Sequence, residues 1–358
     1  MKNALPRSPL PASQAATDVG TLLSLLDASD DLADAVVDLM DAEKRSLALG
    51  QPFLPWLMQQ REPACERFLQ DVLTLPTWAD QELMQLGGRM AGRHAPHFAL
   101  AITYGALPLA FSHPSSAVVF KLSGDMARSV SARLRQSAEL FFGVVRPRAL
   151  LPFEPAWREC LRVRLVHARV RRHLLRHPQW NRSTHGVPIN LLQLAAGPAF
   201  FGSHVLRAMT TLGARASAEE REGYAMIFRL VTKLLGGPEK LIGTTGSEQE
   251  RINDALLTLS MVPDDLGREL VAALLRGLST APQTGSLSPL GQAGLMRTCL
   301  GTDWADALCV PEARPADVRI LEAALRVYAR IANQPALRDA AERLGAGWLN
   351  RMQPCVDP

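Results

Sequence analysis

Trp157–Leu175 reads WRECLRVRLVHARVRRHLL. Val163, Val166, Val170 and Leu174 recur in it at helical spacing and define an apolar stripe along one face. His167 lies on that stripe, four residues after Val163 and three before Val170, and Arg164 and Arg171 flank it at i−3 and i+4. One helix thus offers an imidazole directed into the core, with a guanidinium one turn to either side. A haem b needs this combination, because a neutral imidazole nitrogen ligates the iron from one face and cations neutralise the two propionates at the rim. The same pattern also describes a core histidine satisfied by a hydrogen bond. His173 and His177 lie on the same helix but, at about 100° per residue, point well away from His167.

On the N-terminal side, Met126–Val144 places Val130, Arg133, Leu134, Ser137 and Phe141 at helical spacing. Arg133 and Ser137 share a face and could line the opposite side of a bound cofactor; a solvated arginine and a small packing residue are the alternative. On the C-terminal side, Trp180–Gln193 reads WNRSTHGVPINLLQ. Gly186 and Pro188 predict a turn, Asn190 a cap for the next helix, and His185 falls in the loop.

The rest of the chain reads as helix. Leu22, Leu23, Leu25 and Leu26, then Leu32, Val36, Val37, Leu39 and Met40, recur at helical spacing among Asp27, Asp30, Asp31, Asp34, Asp38 and Asp41, with Gly50 as the expected stop. Thr77 with Asp80 three residues on predicts a capped helix through Met90, and Ser217 with Glu220 predicts a capping box whose helix closes at Gly236-Gly237-Pro238. Asn253–Ser260, Asp264–Leu278 and Ala316–Ile331 keep the same period, while Ser279–Leu290 and Val310–Pro315 read as loops. No run alternates strictly with hairpin turns, and no fixed repeat appears. The expectation is an all-α chain: a flexible arm over 1–18, and one large multi-helix domain over 19–358 enclosing a haem pocket.

Composition removes several function classes. With 358 residues, 47% hydrophobic and 21% charged, the chain is long and apolar enough to bury a large core. A net charge of +4 is too small to make nucleic acid the default partner. Charge is uneven, with the aspartates crowded into the first third and arginines into the middle, which implies a local anion site or a solvated basic face. Five cysteines without CxxC spacing exclude zinc ribbons, thioredoxin-type sites and iron–sulfur clusters. The apolar stretch His97–Phe111 is too short to span a membrane and reads as a buried core helix. The first residues lack the apolar run of a signal peptide, so a cytoplasmic location is expected.

Arg164-Leu165-Val166-His167-Ala168-Arg169-Val170-Arg171 resembles the R-L-x-H-A-x-V-R stretch of the latex-clearing protein/MpaB oxygenase family. Gly186-Val187-Pro188-Ile189-Asn190 is similar to that family's G-x-P-I-N turn. Leu234-Leu235-Gly236-Gly237-Pro238-Glu239 is similar to its L-L-G-x-P-E helix end, and Trp78-Ala79-Asp80 adds a further match. The resemblance takes in roughly residues 60–280. It implies a bacterial or fungal type of haem b protein, some members of which cut carbon–carbon double bonds of isoprenoid chains with dioxygen. It implies His167 as the proximal iron ligand through Nε2, with its Nδ1–H donating to a carbonyl or carboxylate, and Arg164 and Arg171 as propionate partners. Arg133-Leu134-Arg135-Gln136-Ser137 is similar to the distal R-x-x-K-T, so Arg133, Gln136 and Ser137 become the candidate catalytic residues. Gln136 and Ser137 replace the family's Lys and Thr, so a lysine-capped iron is not available there. Leu107–Val118 contains no carboxylate to match the family's distal glutamate.

The implied function is a haem b-dependent oxygenase acting with O2 on an apolar, isoprenoid or lipid-like substrate. The alternatives are a haem-binding protein without turnover and a non-catalytic all-α interaction protein. A zinc pair formed by His94 and His97 is disfavoured, because no third ligand stands nearby.

Overall fold

A computed structural model describes residues 19–48, 52–123, 139–280 and 287–351. The expected arm over 1–18 and the three residues Arg133, Gln136 and Ser137 lie outside them, as does Gly50. The described residues contain no strand and form one large all-α domain, as the periodicity predicts. Its helices of more than ten residues are α1 (Asp31–Ala42), α2 (Pro63–Leu73), α3 (Gln81–Arg93), α4 (Pro155–Leu175), α5 (Ala218–Leu234), α6 (Gly246–Ser260), α7 (Asp265–Thr280), α8 (Pro289–Leu300), α9 (Ala316–Ala332) and α10 (Arg338–Arg351).

Local chemistry sets their ends. The Ser217/Glu220 capping box opens α5, and Gly236, at φ 85°, turns the chain after it. Asn190 forms a second capping box with Gln193. The start of α3 differs from the expectation: Asp80 itself is the cap, accepting the amides of Glu82 and Leu83, because Thr77 and Trp78 are taken up in the preceding turn. The leucine run at the N-terminus breaks at Ala28–Asp30, where Asp30 caps α1, and α1 ends at Ala42 well short of Gly50. α7 extends through Thr280, into the predicted loop, and Ser288 caps α8.

α3 sits between α5 and α10, and glycines set how closely they approach. A Cβ on Gly223 of α5 would fall 1.9 Å from the Leu83 carbonyl oxygen, and one on Gly87 would fall 2.0 Å from the Tyr224 nitrogen. On the other flank, a Cβ on Gly345 of α10 would lie 1.8 Å from the Gly92 carbonyl oxygen. Backbone meets backbone at both crossings, so any side chain there must push two helices apart. His97–Phe111 is buried as expected, but it is not one uniform helix: Ile102–Ala106 winds as a π-turn between two α segments. A second π segment, Pro198–His204, packs against it, with His204 beside Gly105. No helix among the described residues is long and apolar enough to cross a membrane.

Candidate functional site

The site is built around α4, and its orientation differs from the one the valine stripe predicts. The fully buried face carries Trp157, Cys160, Leu161, Arg164, Leu165, Ala168 and Arg171, whereas Val163, Val166, His167 and Val170 form a half-buried edge. Two arginines therefore sit in the centre of the face turned to the core. The sequence pattern misleads here because a buried arginine is tolerated only with matched carboxylates, and these come from distant helices.

Those carboxylates are the aspartates of α1 and α2. Arg164, 3% exposed, donates from Nε and Nη2 to both oxygens of Asp30 at 2.6 and 2.9 Å, and from Nη1 to Asp71 at 2.6 Å. Lys233 of α5 reaches the same Asp71 at 3.1 Å. Burial pushes the Asp71 carboxyl up, but Arg164 and Lys233 outweigh it and hold it below the ordinary carboxylate value. Arg171, 1% exposed, clamps Asp34 and donates to the Ile189 carbonyl at 2.8 Å. Along the outer edge, Arg169 meets Asp41, and Arg172 meets Asp38 and Asp41. The acidic first third and the basic middle of the sequence are thus two sides of one helix–helix contact.

Three of the sequence motifs meet at these arginines. Ile189 belongs to the Gly186–Asn190 turn. Gly236, in the turn that ends α5, lies so close that a Cβ there would be 2.2 Å from Asp30 Oδ2 and 2.8 Å from Arg164 Nε. Arg164 and Arg171 therefore fix α4 against α1, α2 and the two turns. Both guanidiniums are committed to protein partners, unlike the free cations expected for propionates. The signal for this pairing was present in the sequence: Asp30, Asp34, Asp38 and Asp41 lie on one helical face, opposite in sign to the arginines of 164–172.

His167 is the chemically spare group of the motif. Its Nδ1 is buried with no hydrogen-bond partner, so the expected Nδ1 donor bond does not form. Burial, reinforced by the Arg171 cation, lowers its pKa to about 4, leaving the ring neutral at pH 7. A neutral imidazole with an unpaired nitrogen, at an edge shared with three half-buried valines, fits the donor that a haem iron requires.

His94 Nδ1, both nitrogens of His97 and His204 Nε2 are also buried without a partner, so it is the motif that singles out His167. His94 and His97 stack edge to face at 5.3 Å, but the described residues hold no group of three ligands that could take a metal, and His94 Nε2 already faces Asn333 and Arg215. His185 is half-buried at the end of the short helix Arg182–His185 rather than in an open loop. Asp71 and Lys233, which complete the charge cluster beside Arg164, escape the sequence reading because neither stands in a motif.

Comparison with known proteins gives the family and the fold. The sequence profile of the family described as "ER-bound oxygenase mpaB/B'/Rubber oxygenase, catalytic domain" matches residues 88–348. It extends further toward the C-terminus than the motifs suggest and starts after Trp78-Ala79-Asp80. A rubber oxygenase of Streptomyces sp. (strain K30) is 22% identical over 289 residues, covering 73% of this chain and 70% of that protein. The structure of latex clearing protein in its closed state superposes with a TM-score of 0.67 at 19% identity, covering 92% of this chain and 90% of the other, and so shares the fold. With 88–348 matched, from within α3 to within α10, the chain belongs to the MpaB/rubber oxygenase family.

Proposed function

We propose that this chain is a haem b-dependent oxygenase acting with O2 on an apolar substrate of the isoprenoid or lipid-like class, with His167 as the iron ligand. The observation that carries the proposal is the neutral ring of His167 on the family motif, held at a pKa of about 4 and with Nδ1 taken by no protein partner. Bound haem would supply a redox-active iron for dioxygen chemistry. The chain's own residues prepare for it. The Arg164 and Arg171 clamps fix the axial position and rotation of α4, and with them the direction of the imidazole. Burial keeps the imidazole lone pair unprotonated. Val163, Val166 and Val170 give the edge beside the ring an apolar surface, which suits both a porphyrin face and an apolar substrate. Arg133, Gln136 and Ser137 remain the candidates for the O2-facing side, and Arg133→Ala is expected to lower activity or haem retention.

The test is the absorption spectrum of the purified protein beside His167→Ala. A Soret band in the wild type, lost in the variant with helical circular dichroism unchanged, is the expected result; full haem occupancy in His167→Ala would overturn the assignment. The lack of any carboxylate in Leu107–Val118 favours one second reading, a haem protein without turnover. Oxygen uptake on adding an isoprenoid separates the two, since only the oxygenase consumes it.

A further inference from the structure

α9 exposes an apolar row that nothing among the described residues covers. Ile320, Val327 and Ile331 are 68%, 51% and 47% exposed. At about 100° per residue they lie within about 40° of one another, with exposed Ala323 and Ala324 alongside. Elsewhere exposed aliphatics stand singly, as Leu175, Val262 and Leu290 do, or in pairs, as Val19 with Leu23 and Leu337 with Leu344 do, and three in one row occur on α9. Each member of the α9 row is preceded by an arginine: Arg319-Ile320, Arg326-Val327 and Arg330-Ile331. A row of cations therefore runs beside the aliphatic row along the helix.

The charge that α9 itself carries on this surface is of one sign. Both carboxylates of α9 are turned away from it: Asp317 is held by the Ser288 amide and hydroxyl, and Glu322 is buried and bonded to Thr298. Arg326 leans toward Glu322 at 3.5 Å, but Arg319 and Arg330 have no ion pair among the described residues. The aliphatic row is too narrow for the ~800 Å² per partner that a stable protein contact buries. Pairing with a second copy in the antiparallel sense would set one arginine row against the other. An anionic lipid surface satisfies both rows, taking up shallowly inserted aliphatic side chains while the guanidiniums reach headgroup phosphates.

We infer that α9 is a peripheral docking helix for an anionic lipid surface, laid flat with Ile320, Val327 and Ile331 inward and Arg319, Arg326 and Arg330 at headgroup level. The inference is independent of haem and of turnover. It is tested by cosedimentation of the full-length protein with phosphatidylcholine vesicles with and without phosphatidylserine. Partition into the anionic vesicles alone, weakening with salt, is expected. Ile320→Asn/Val327→Asn and Arg319→Gln/Arg330→Gln should each lower the partition coefficient about tenfold or more, with circular dichroism unchanged because all four side chains are exposed. No binding to the anionic vesicles, or binding that both double variants retain, would overturn the inference. So would a wild-type dimer that Ile320→Asn/Val327→Asn converts to monomer, which would assign the face to a second copy of the chain.

Discussion

α4 and α9 are both rich in arginine, and the domain treats them in opposite ways. In α4 the guanidiniums of Arg164 and Arg171 are buried and bound by Asp30, Asp71 and Asp34, and the charges lock one helix against two others, α1 and α2. In α9, Arg319 and Arg330 stand in water beside aliphatic side chains that also stand in water. An arginine row at helical spacing thus serves as an internal fastener where a facing helix supplies carboxylates, and as an outward contact surface where none does. The difference lies in what folds opposite, not in the row itself.

Acid titration gives the largest expected effect and separates the ion-paired region from the rest of the core. Burial holds His94, His97, His113 and His204 at a pKa of about 4, below the ordinary value near 6.5. Between these values the unfolded chain binds protons that the folded chain does not, so stability falls as pH drops from about 6.5 to about 4. The slope is on the order of 1.4 kcal/mol per histidine per pH unit, or several kcal/mol in all. The Asp71 carboxyl is held below its ordinary value, so Asp71 loses its charge only at lower pH still. Urea unfolding at pH 7, 6 and 5 measures this, and a flat stability across that range would contradict it.

Arg164→Met comes next. It leaves Asp30, 6% exposed, buried without its cation, at an expected cost of about 3–5 kcal/mol. Adding Asp30→Asn should recover a good part of that loss; a loss under about 1 kcal/mol for the single variant would end the contrast with α9. Gly223→Ala probes a fastening made without charge. Its new methyl meets the Leu83 carbonyl, and a cost of about 1–3 kcal/mol is expected from denaturant midpoints. The smallest effect belongs to Arg319→Gln/Arg330→Gln, within about 0.5 kcal/mol of wild type, because neither side chain holds the fold. A larger loss would show that α9 is fastened as α4 is.

The sequence by itself determined the helices and most of their ends. Spacing near 3.6, the Ser217/Glu220 and Asn190 caps and the Gly236 stop are local features, satisfied within a turn of chain, and they read the same before and after folding. It also determined the family, through residues clustered in three short motifs, and it singled out His167. Only the tertiary structure decided which face of α4 is buried. That choice depends on Asp30, Asp34 and Asp71, more than 90 residues away in sequence, bringing compensating charge to Arg164 and Arg171. A local pattern scores arginine as solvent-facing because desolvating an unpaired guanidinium is prohibitive; folding reverses that score by supplying the partner. The glycine crossings of α3 and the uncovered face of α9 were hidden for the same reason, since what a residue meets, or fails to meet, is settled by elements distant in the chain.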